Sequence, residues 1–393
     1  MAQFNPDAAT QAWLATLPAA DHARAIAYTQ GGHWLLLWGA VVGVVSAAII
    51  LRLGVLRRIS GWASAKKPRP RRALFLCAIA FFALDWLIEL PWTIYANWWR
   101  EKGYGLTKQS FGGWISENIM SSIISIIVLG LLLLAVYALM RRTPRWWWAW
   151  SGGVVAVGIM FMIVLQPVLI EPLFNSYTPA PPGPGRDAVV ELAHRSGVPA
   201  DKIFIYDGSK QSERYTANVA GLFGTARIAM SDTMFQQGAD MAEVRGVVGH
   251  EMGHYAEGHA LWLAAGFSLI AMLLFFAVSR LYPRVAPALG ASREISDPAN
   301  VPAFWAVLTV VGLFAVPLAN SISRYDENSA DRFSLEHAHE PDGLAKALVK
   351  TIAYRASSPS RLEEILFYDH PSVERRIHAA MVWKAQHPDL VGK

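Results

Sequence analysis

Six apolar runs, each long enough to cross a bilayer, constrain this chain more than any other feature of its sequence. A transmembrane helix needs about twenty apolar residues, because a rise of about 1.5 Å per residue has to span about 30 Å of hydrocarbon. The chain is 53% hydrophobic and 17% charged, a balance typical of membrane proteins. We therefore predict a mainly α-helical, polytopic membrane protein with about six transmembrane helices. The six runs cover residues 33–55, 73–98, 118–140, 146–170, 260–282 and 301–322.

Basic residues crowd into the short loops 57–72 and 141–145 between these runs. With six spans, both loops lie on the side opposite the long segment 171–259, and the positive-inside rule then places that segment outside the cytoplasm. A formal charge of +5, concentrated in such loops, suits lipid headgroups better than nucleic acid. We expect membrane lipids and no nucleic acid as partners, and a cell-membrane location if the source is bacterial. The basic residues of the first loop are Arg57, Arg58, Lys66, Lys67, Arg69, Arg71 and Arg72.

Residues 1–32 mix polar and apolar side chains and contain no continuous hydrophobic core. A cleavable signal peptide needs such a core, so we do not predict one. We expect these residues to form a short amphipathic or loosely ordered lead-in to the first span.

The second apolar run carries two acidic residues, Asp85 and Glu89, four positions apart on one helical face. Acids within a membrane span are costly and usually face water or a partner. They indicate either a water-lined chamber enclosed by the spans, which is the interpretation that we favour, or a structural ion pair.

The chain divides into four parts by composition. Residues 1–170 carry four spans, 171–259 form a small α+β domain, 260–322 form a transmembrane hairpin, and 323–393 return to soluble helical patterning. Within the α+β domain the proline-rich stretch around residues 179–185 predicts a linker. The patterns that follow predict a helix at 187–196 and strands at 202–207, 214–219 and 226–231.

The α+β domain ends in the motif H-E-M-G-H at residues 250–254. His250 and His254 lie four apart on one helical face, so both can reach one Zn²⁺ at about 2.0–2.1 Å. Glu251 lies beside the metal, where it can take a proton from zinc-bound water. Asp240 can cap this helix, which we expect to run on into the fifth span. The motif also arises by chance, so it needs support elsewhere.

A catalytic zinc ion needs a third protein ligand and an open position for water. The single cysteine, Cys77, lies in an apolar run, so the ligand must be a histidine or a carboxylate. His259 follows His254 by five residues, about 140° round a helix, and is badly placed. We instead predict Glu327, with Asp331 orienting a ligand. Such acids are more often solvated, but two spans return the chain here to the side where the histidine helix begins.

The zinc motif followed by E-x-x-x-D resembles the M48 metallopeptidases, and the wider pattern resembles their integral-membrane CAAX prenyl protease branch (the Ste24 type). The resemblance covers about residues 73–380, and its motifs occur in order. It implies a gluzincin-like zinc metalloprotease domain with one Zn²⁺ per chain. The matching blocks are L-I-E-L-P-W-T-I-Y at 87–95, E-P-L-F-N-S-Y-T-P at 171–179, I-F-I-Y-D-G-S-K at 203–210, S-R-Y-D-E-N-S-A-D at 323–331 and D-H-P-S-V-E-R-R-I at 369–377.

The resemblance also implies roles for residues that spacing alone does not single out. Asn218, Val219 and Ala220 match an edge strand that pairs with the substrate backbone, although Val219 replaces the family's alanine. His370 and Arg376 match an H-P-x-x-x-x-R block at the active site, where such groups can stabilise an oxyanion. For the metal ligands, the general base and the second acid, the resemblance implies the residues already named, which are His250, His254, Glu327, Glu251 and Asp331.

These features predict a membrane-embedded zinc metalloendopeptidase that cleaves membrane-associated proteins, with prenylated CAAX-type proteins among the candidates. We expect a monomer acting on a peptide or lipidated protein. One alternative is a quality-control protease with no prenyl requirement. A more distant alternative is a non-catalytic membrane protein with a structural zinc site, which normally has four protein ligands.

Overall fold

The structure is a computed structural model that describes residues 4–65, 69–222, 224–235 and 240–392. Lys66 and Lys67 of the predicted basic loop lie outside the described residues.

Long apolar helices form most of the first half of the chain, as predicted. Among the described residues, five candidate spans run over Ala19–Leu53, Pro70–Tyr104, Phe111–Arg142, Trp147–Leu173 and His259–Leu289, and a bent pair of helices counts as a sixth if it crosses as one span. The prediction of a mainly α-helical, polytopic membrane protein is confirmed. The helices up to the fourth span are α1 (Pro6–Leu14), α2 (Ala19–Leu53), α3 (Val55–Ser64), α4 (Pro70–Ile94), α5 (Arg100–Tyr104), α6 (Phe111–Arg142) and α7 (Trp147–Leu165).

The remaining helices follow the fourth candidate span. They pack closely, with α9 lying against α8, α12 and α13, and α1 against α15. These helices are α8 (Pro184–Arg195), α9 (Met241–Ala256), α10 (His259–Val285), α11 (Val301–Leu313), α12 (Val316–Ala338), α13 (Pro341–Thr351), α14 (Arg361–Phe367) and α15 (Val373–Gln386).

Of the two alternatives for residues 1–32, an amphipathic or a loosely ordered lead-in, the loosely ordered one was wrong for the described residues from Phe4 on. This segment forms α1 and the first turns of α2, which starts well before the first apolar run. The N-terminal turns of α2 contact the C-terminal part of the chain, where Thr29 accepts a hydrogen bond from the backbone N of Ala356 at 2.8 Å. Those contacts link the first span to the C-terminal part of the chain.

The sixth apolar run does not form one straight helix. The chain bends by 56° between α11 and α12. Pro317, the second residue of α12, has no backbone N–H to donate to the preceding turn and disfavours helix in the residue before it. The bend redirects α12 from the membrane towards α9, against which it packs.

The segment predicted as an α+β domain contains a four-stranded sheet in the order β1-β2-β4-β3. Its strands are β1 (Tyr177–Pro179), β2 (Ile203–Tyr206), β3 (Ala217–Ala220) and β4 (Arg227–Ser231). The three predicted strands are confirmed, and β1 is an additional strand that ends where the predicted linker begins, at Pro179. It pairs antiparallel with β2, and Pro179 is tolerated because β1 is an edge strand.

Asp85 and Glu89 of α4 face α2. Ser46 donates a hydrogen bond to Asp85 at 2.6 Å, and a Cβ atom added at Gly43 would lie 3.4 Å from Oε1 of Glu89. Within the described part of the chain neither carboxylate lies against a cation, so these contacts give the ion-pair alternative no support. The chamber and the four-part division of the chain stay predictions.

Candidate active site

The helix that carries the H-E-M-G-H motif is fixed at its N-terminus by a side-chain cap. Asp240 accepts hydrogen bonds from the backbone N of Ala242 at 3.1 Å and of Glu243 at 3.5 Å, as predicted. An aspartate there satisfies amide groups that have no partner within the helix. The cap therefore defines where α9 begins.

Glycines on α9 allow two other helices to approach its backbone. A Cβ atom added at Gly246 would lie 2.8 Å from the backbone N of Leu344 in α13. One added at Gly253 would lie 3.0 Å from Cα of Ala330 in α12. Because no side chain separates the helices at these points, the acids of α12 come within reach of the histidines of α9.

Three predicted metal ligands come together at this contact. Nε2 of His250 lies 3.2 Å from Nε2 of His254 and 3.4 Å from Oε2 of Glu327. Nε2 of His254 lies 3.5 Å from the other oxygen of this carboxylate, Oε1 of Glu327, so the two nitrogens and the carboxylate form a ligand triangle. A tetrahedral ion with ligands at about 2.0–2.1 Å separates its ligand atoms by about 3.3–3.4 Å. The triangle therefore fits a metal ion of that size.

The surroundings of Glu327 also fit a metal. Its Oε2 atom is buried and accepts no hydrogen bond within the described ranges; Arg376 lies 3.5 Å from it, which leaves a short-range ligand position that a metal can fill. Among the described residues, the only group of three or more potential ligands with this proximity is His250, His254 and Glu327. Three protein ligands leave one position open, which is the arrangement of catalytic zinc sites.

Asp331 and Arg376 lie on the Nδ1 side of His250. Nδ1 of His250 lies 2.9 Å from Oδ1 of Asp331, and Arg376 donates to both oxygens of Asp331, each at 2.7 Å. A proton on Nδ1 leaves the lone pair of Nε2 facing the other ligands. Burial lowers the pKa of His250, but hydrogen bonds to Asp331 and Glu327 raise it more strongly, to about 10. The carboxylates thus favour positive charge at this position.

Glu251 lines a cavity of about 200 Å³ beside the ligand triangle. His250, His370 and Arg376 line the same cavity, together with Tyr215. Burial raises the pKa of Glu251, which makes its carboxylate a better proton acceptor near neutral pH. The cavity brings a basic carboxylate next to the ligand triangle.

His370 enters this cavity from the C-terminal part of the chain. Its Nε2 lies 3.2 Å from Oε1 of Glu327, and its Nδ1 lies 2.7 Å from Oδ1 of Asp369. Burial lowers the pKa of His370, while the two carboxylates favour its protonated form. A ring that donates from Nδ1 to Asp369 can also donate from Nε2 when it carries both protons.

The predicted substrate strand is the exposed edge of the sheet. Thr216 accepts a hydrogen bond from Ser231 N at 2.9 Å, and β3 pairs antiparallel with β4. Because hydrogen-bonded residues alternate along such a strand, the backbone groups of Ala217 and Val219 point away from β4, and those of Asn218 point towards it. Oδ1 of Asn218 is buried and has no hydrogen-bond partner among the described residues.

The structure corrects the prediction that α9 runs on into the fifth span. The chain turns at Gly258, whose φ of 68° is left-handed, and α10 begins at His259. This turn places Nδ1 of His259 2.9 Å from Nδ1 of His254. The helical spacing, which assumed one continuous helix, did not predict this contact. Gly258 was the sequence feature that could have indicated the break in the helix.

Two sequence families match the chain. The model of peptidase family M48 matches residues 186–384. A model described as the CAAX prenyl protease N-terminal region, with five membrane helices, matches residues 6–176.

Curated relatives match most of the chain. An uncharacterized metalloprotease, YhfN, of Bacillus subtilis is 26% identical over 90% of this chain and 84% of its own length. A CAAX prenyl protease 1 homolog of Arabidopsis thaliana is also 26% identical, over 86% of this chain and 82% of its own. A Dictyostelium discoideum homolog of the same name is 30% identical over 64% of this chain and 59% of its own.

A solved structure shares the fold. The crystal structure of S. mikatae Ste24p superposes with a TM-score of 0.74 at 23% identity, covering 93% of this chain and 89% of that one. The M48 model alone covers half of the sequence and includes every residue of the ligand triangle. The chain therefore belongs to peptidase family M48 and is a multi-pass membrane metalloendopeptidase.

Proposed function

We propose that this metalloendopeptidase uses zinc and cleaves membrane-associated proteins of the prenylated CAAX type. The observation that carries the zinc assignment is the cluster of two imidazole nitrogens and the carboxylate of Glu327, whose two oxygens lie 3.4 Å from His250 and 3.5 Å from His254. Two histidines and a glutamate are a ligand set of catalytic zinc sites. The relatives named CAAX prenyl protease 1 support the substrate class.

Glu251 is the general base in this proposal. Zinc, when bound by His250, His254 and Glu327, supplies a Lewis acid that polarises water and the scissile carbonyl. Glu251 takes a proton from the attacking water and delivers it to the nitrogen of the leaving amine. Its burial beside the triangle supports this role, because proton transfer needs a base whose pKa lies near the working pH.

His370 and Arg376 have different roles in this proposal. His370 donates a hydrogen bond from Nε2 to the oxyanion that develops on the substrate carbonyl, since this atom faces the cavity at 3.2 Å from Glu327. Arg376 already donates twice to Asp331. We therefore assign Arg376 to holding Asp331, and through it His250, and not to direct contact with the oxyanion.

The substrate backbone pairs with the outer edge of β3. The outward backbone groups of Ala217 and Val219 can each exchange hydrogen bonds with an extended peptide. Ala217 also lines the cavity that contains Glu251. A peptide added as a fifth strand would thus pass the general base, with Asn218 on the sheet side of the contact.

We further propose that the protein acts as a monomer in contact with bilayer lipids and that its catalytic end faces away from the cytoplasm. α6 begins beside the soluble domain, where Lys108 N donates to Gln211 O at 3.0 Å, and ends at the basic Arg142. The basic end is thus remote from the active site, and basic ends face the cytoplasm. Protease accessibility of a C-terminal tag in oriented vesicles tests the orientation, and a tag cleaved only from the cytoplasmic side would contradict it.

The decisive experiment measures cleavage of matched peptides by the full-length protein in detergent or nanodiscs. One peptide carries a farnesylated CAAX sequence and the other carries the same sequence without the lipid. Each is tested with the purified protein, after chelator treatment and after zinc is restored, and zinc content is measured in parallel. We expect zinc-dependent cleavage of the farnesylated peptide and much slower cleavage of the unmodified one.

Other results would change the proposal in defined ways. Equal cleavage of the two peptides would point to a quality-control protease without a prenyl requirement. A protein that contains zinc but cleaves neither peptide nor an unfolded membrane protein would point to a structural zinc site. Cleavage that survives complete metal removal would overturn the zinc assignment.

A further inference from the structure

The Nδ1 atoms of the two metal-ligand histidines face different partners. Nδ1 of His250 faces a carboxylate, that of Asp331, at 2.9 Å. Nδ1 of His254 faces another imidazole, that of His259, also at 2.9 Å. A histidine that binds a metal through Nε2 carries its proton on Nδ1 and needs an acceptor there. His259 occupies the place of that acceptor.

The contacts beyond His259 continue the same line of hydrogen bonds. Nε2 of His259 lies 3.1 Å from Oε2 of Glu257, and Ser329 donates to the same oxygen. If Nδ1–H of His254 donates to Nδ1 of His259, the proton of a neutral His259 must be on Nε2, where it donates to Glu257. Nδ1 of His259 is then an acceptor and Nε2 a donor, so each ring nitrogen has one role.

The position of this group is set by the end of α9. Glu257 is the residue that ends the helix, Gly258 turns the chain with φ 68°, and His259 starts α10 with only 3% of its surface exposed. Ser329 lies on α12 two residues after Glu327, so its bond to Glu257 ties the end of α9 to the helix that supplies the carboxylate ligand. A buried histidine held at both ring nitrogens has a fixed orientation.

We propose that His259 is a positioning residue for the metal centre, acting through His254 and oriented by Glu257. The hydrogen bond fixes the ring of His254 with Nε2 towards the other ligands, and the carboxylate behind His259 increases the electron density that His254 offers to a metal. The proposal rests on the assignment of His254 as a ligand.

The test compares metal affinity and ligand-field spectra among variants of the full-length protein. Zinc dissociation constants are measured by competition with a chromophoric chelator, and Co²⁺ substituted for zinc reports the ligand geometry in its visible spectrum. The variants are His259→Ala, His259→Asn, Glu257→Gln and the double variant Glu257→Gln/His259→Ala. The exposed His194 of α8 supplies the control, His194→Ala.

We expect His259→Ala to weaken zinc binding by about 10- to 100-fold, the range for lost outer partners of metal ligands, and to shift the Co²⁺ bands. His259→Asn places an amide oxygen near the former Nδ1 position, so it should recover most of the affinity. Glu257→Gln should weaken binding less than His259→Ala. In the double variant the two losses should not add, because Glu257 acts through His259.

Two results would overturn the proposal. The first is zinc affinity and a Co²⁺ spectrum of His259→Ala that match those of His194→Ala. The second is strictly additive losses in the double variant. If His259→Ala does not fold, the zinc affinities of His259→Asn and Glu257→Gln still test the proposal. Adding Glu257→Gln to His259→Asn should then leave the zinc dissociation constant unchanged.

The failure of this proposal can be told apart from failure of the ligand assignment. His254→Ala should abolish tight zinc binding if His254 is a ligand. Normal zinc binding by His254→Ala would reject the ligand set itself. Loss of binding in His254→Ala together with normal binding in every His259 and Glu257 variant would reject only the positioning role.

Discussion

The membrane bundle and the metal-ligand region bury opposite kinds of side chain. The largest buried cluster of the bundle is apolar, with Phe81, Tyr137 and Val278 at its centre. The interior between α9, α12 and α15 instead buries charged groups, including Asp331 and Arg376. Apolar contacts are non-directional and tolerate replacement by groups of similar volume. A buried charge depends on one specific partner. Single substitutions between α9, α12 and α15 should therefore lower activity or stability more than substitutions in the membrane bundle.

The largest effect is expected at Glu251. Replacing it with Gln keeps the shape of the side chain but removes the proton acceptor, so peptidase activity should fall by about 10²- to 10⁴-fold while zinc content is unchanged. Initial rates and metal analysis measure both quantities. Glu336→Gln, at a solvent-exposed position of α12, is the matched control and should retain activity. Retained activity in Glu251→Gln would remove Glu251 from the mechanism.

The next effect tests the buried charges themselves. Arg376→Ala leaves the buried carboxylate of Asp331 without its two hydrogen bonds at 2.7 Å, and breaking a buried pair in this way costs about 3–5 kcal/mol. Arg332→Ala removes an exposed arginine whose ion pair with Glu336 measures 3.8 Å, and should cost less than about 1 kcal/mol. Denaturant unfolding in detergent compares the two. Equal losses of unfolding free energy in the two variants would show that the buried ion pair is no more sensitive to substitution than the exposed one.

Packing within the membrane bundle can be tested at two neighbouring glycines of α7. A Cβ atom added at Gly152 would lie 2.1 Å from Cγ of Met272 and 3.0 Å from the backbone O of Ser268, whereas one at Gly153 meets nothing within 4 Å. Gly152→Val should therefore destabilise the contact of α7 with α10 by about 1–3 kcal/mol. Gly153→Val carries the same change in helix propensity without the clash. Thermal unfolding that is lowered equally in both variants would argue against close packing of α7 on α10.

The smallest effect concerns an exposed charge at the start of α9. A hydrogen bond from Lys346, at 2.6 Å, lowers the pKa of Asp240. A carboxyl whose pKa is lowered on folding stabilises the fold above its unfolded pKa of about 3.9, and this stabilisation disappears as the pH falls through the folded pKa.

Asp240→Asn keeps a capping oxygen but removes the charge. It should cost at most about 1 kcal/mol at pH 7, because the pair is partly exposed to solvent, and this cost should shrink as the pH falls through the lowered folded pKa of Asp240. Stability curves of both proteins against pH measure the difference. A difference that is the same at pH 7 and pH 3 would assign the effect to the cap and not to the ion pair.

Much of this structure follows from local sequence patterns. The apolar runs, the cap at Asp240 and the spacing of His250 and His254 each depend on a few neighbouring residues, and all three features occur in the structure. The pair of Asp331 and Arg376 joins positions 45 residues apart, and only the family resemblance indicated that Arg376 lies near the site.

The features that the sequence did not reveal depend on tertiary contacts or on one backbone angle. The early start of α2 is stabilised by contacts with the C-terminal part of the chain, which no local window contains. The contact of His259 with His254 depends on the left-handed turn at Gly258. A helical wheel assumes a continuous helix and cannot describe that position.

The pairing of Asp331 with Arg376 has a consequence for biosynthesis. A ribosome delivers α9 and α12 before α15, so a nascent chain can present both histidines and Glu327 while Asp331 still lacks its arginine. Until α15 emerges and docks, the acid that orients His250 carries an uncompensated charge in a closing interior. The full set of contacts around Asp331 can therefore form only after the arginine of α15 has been translated.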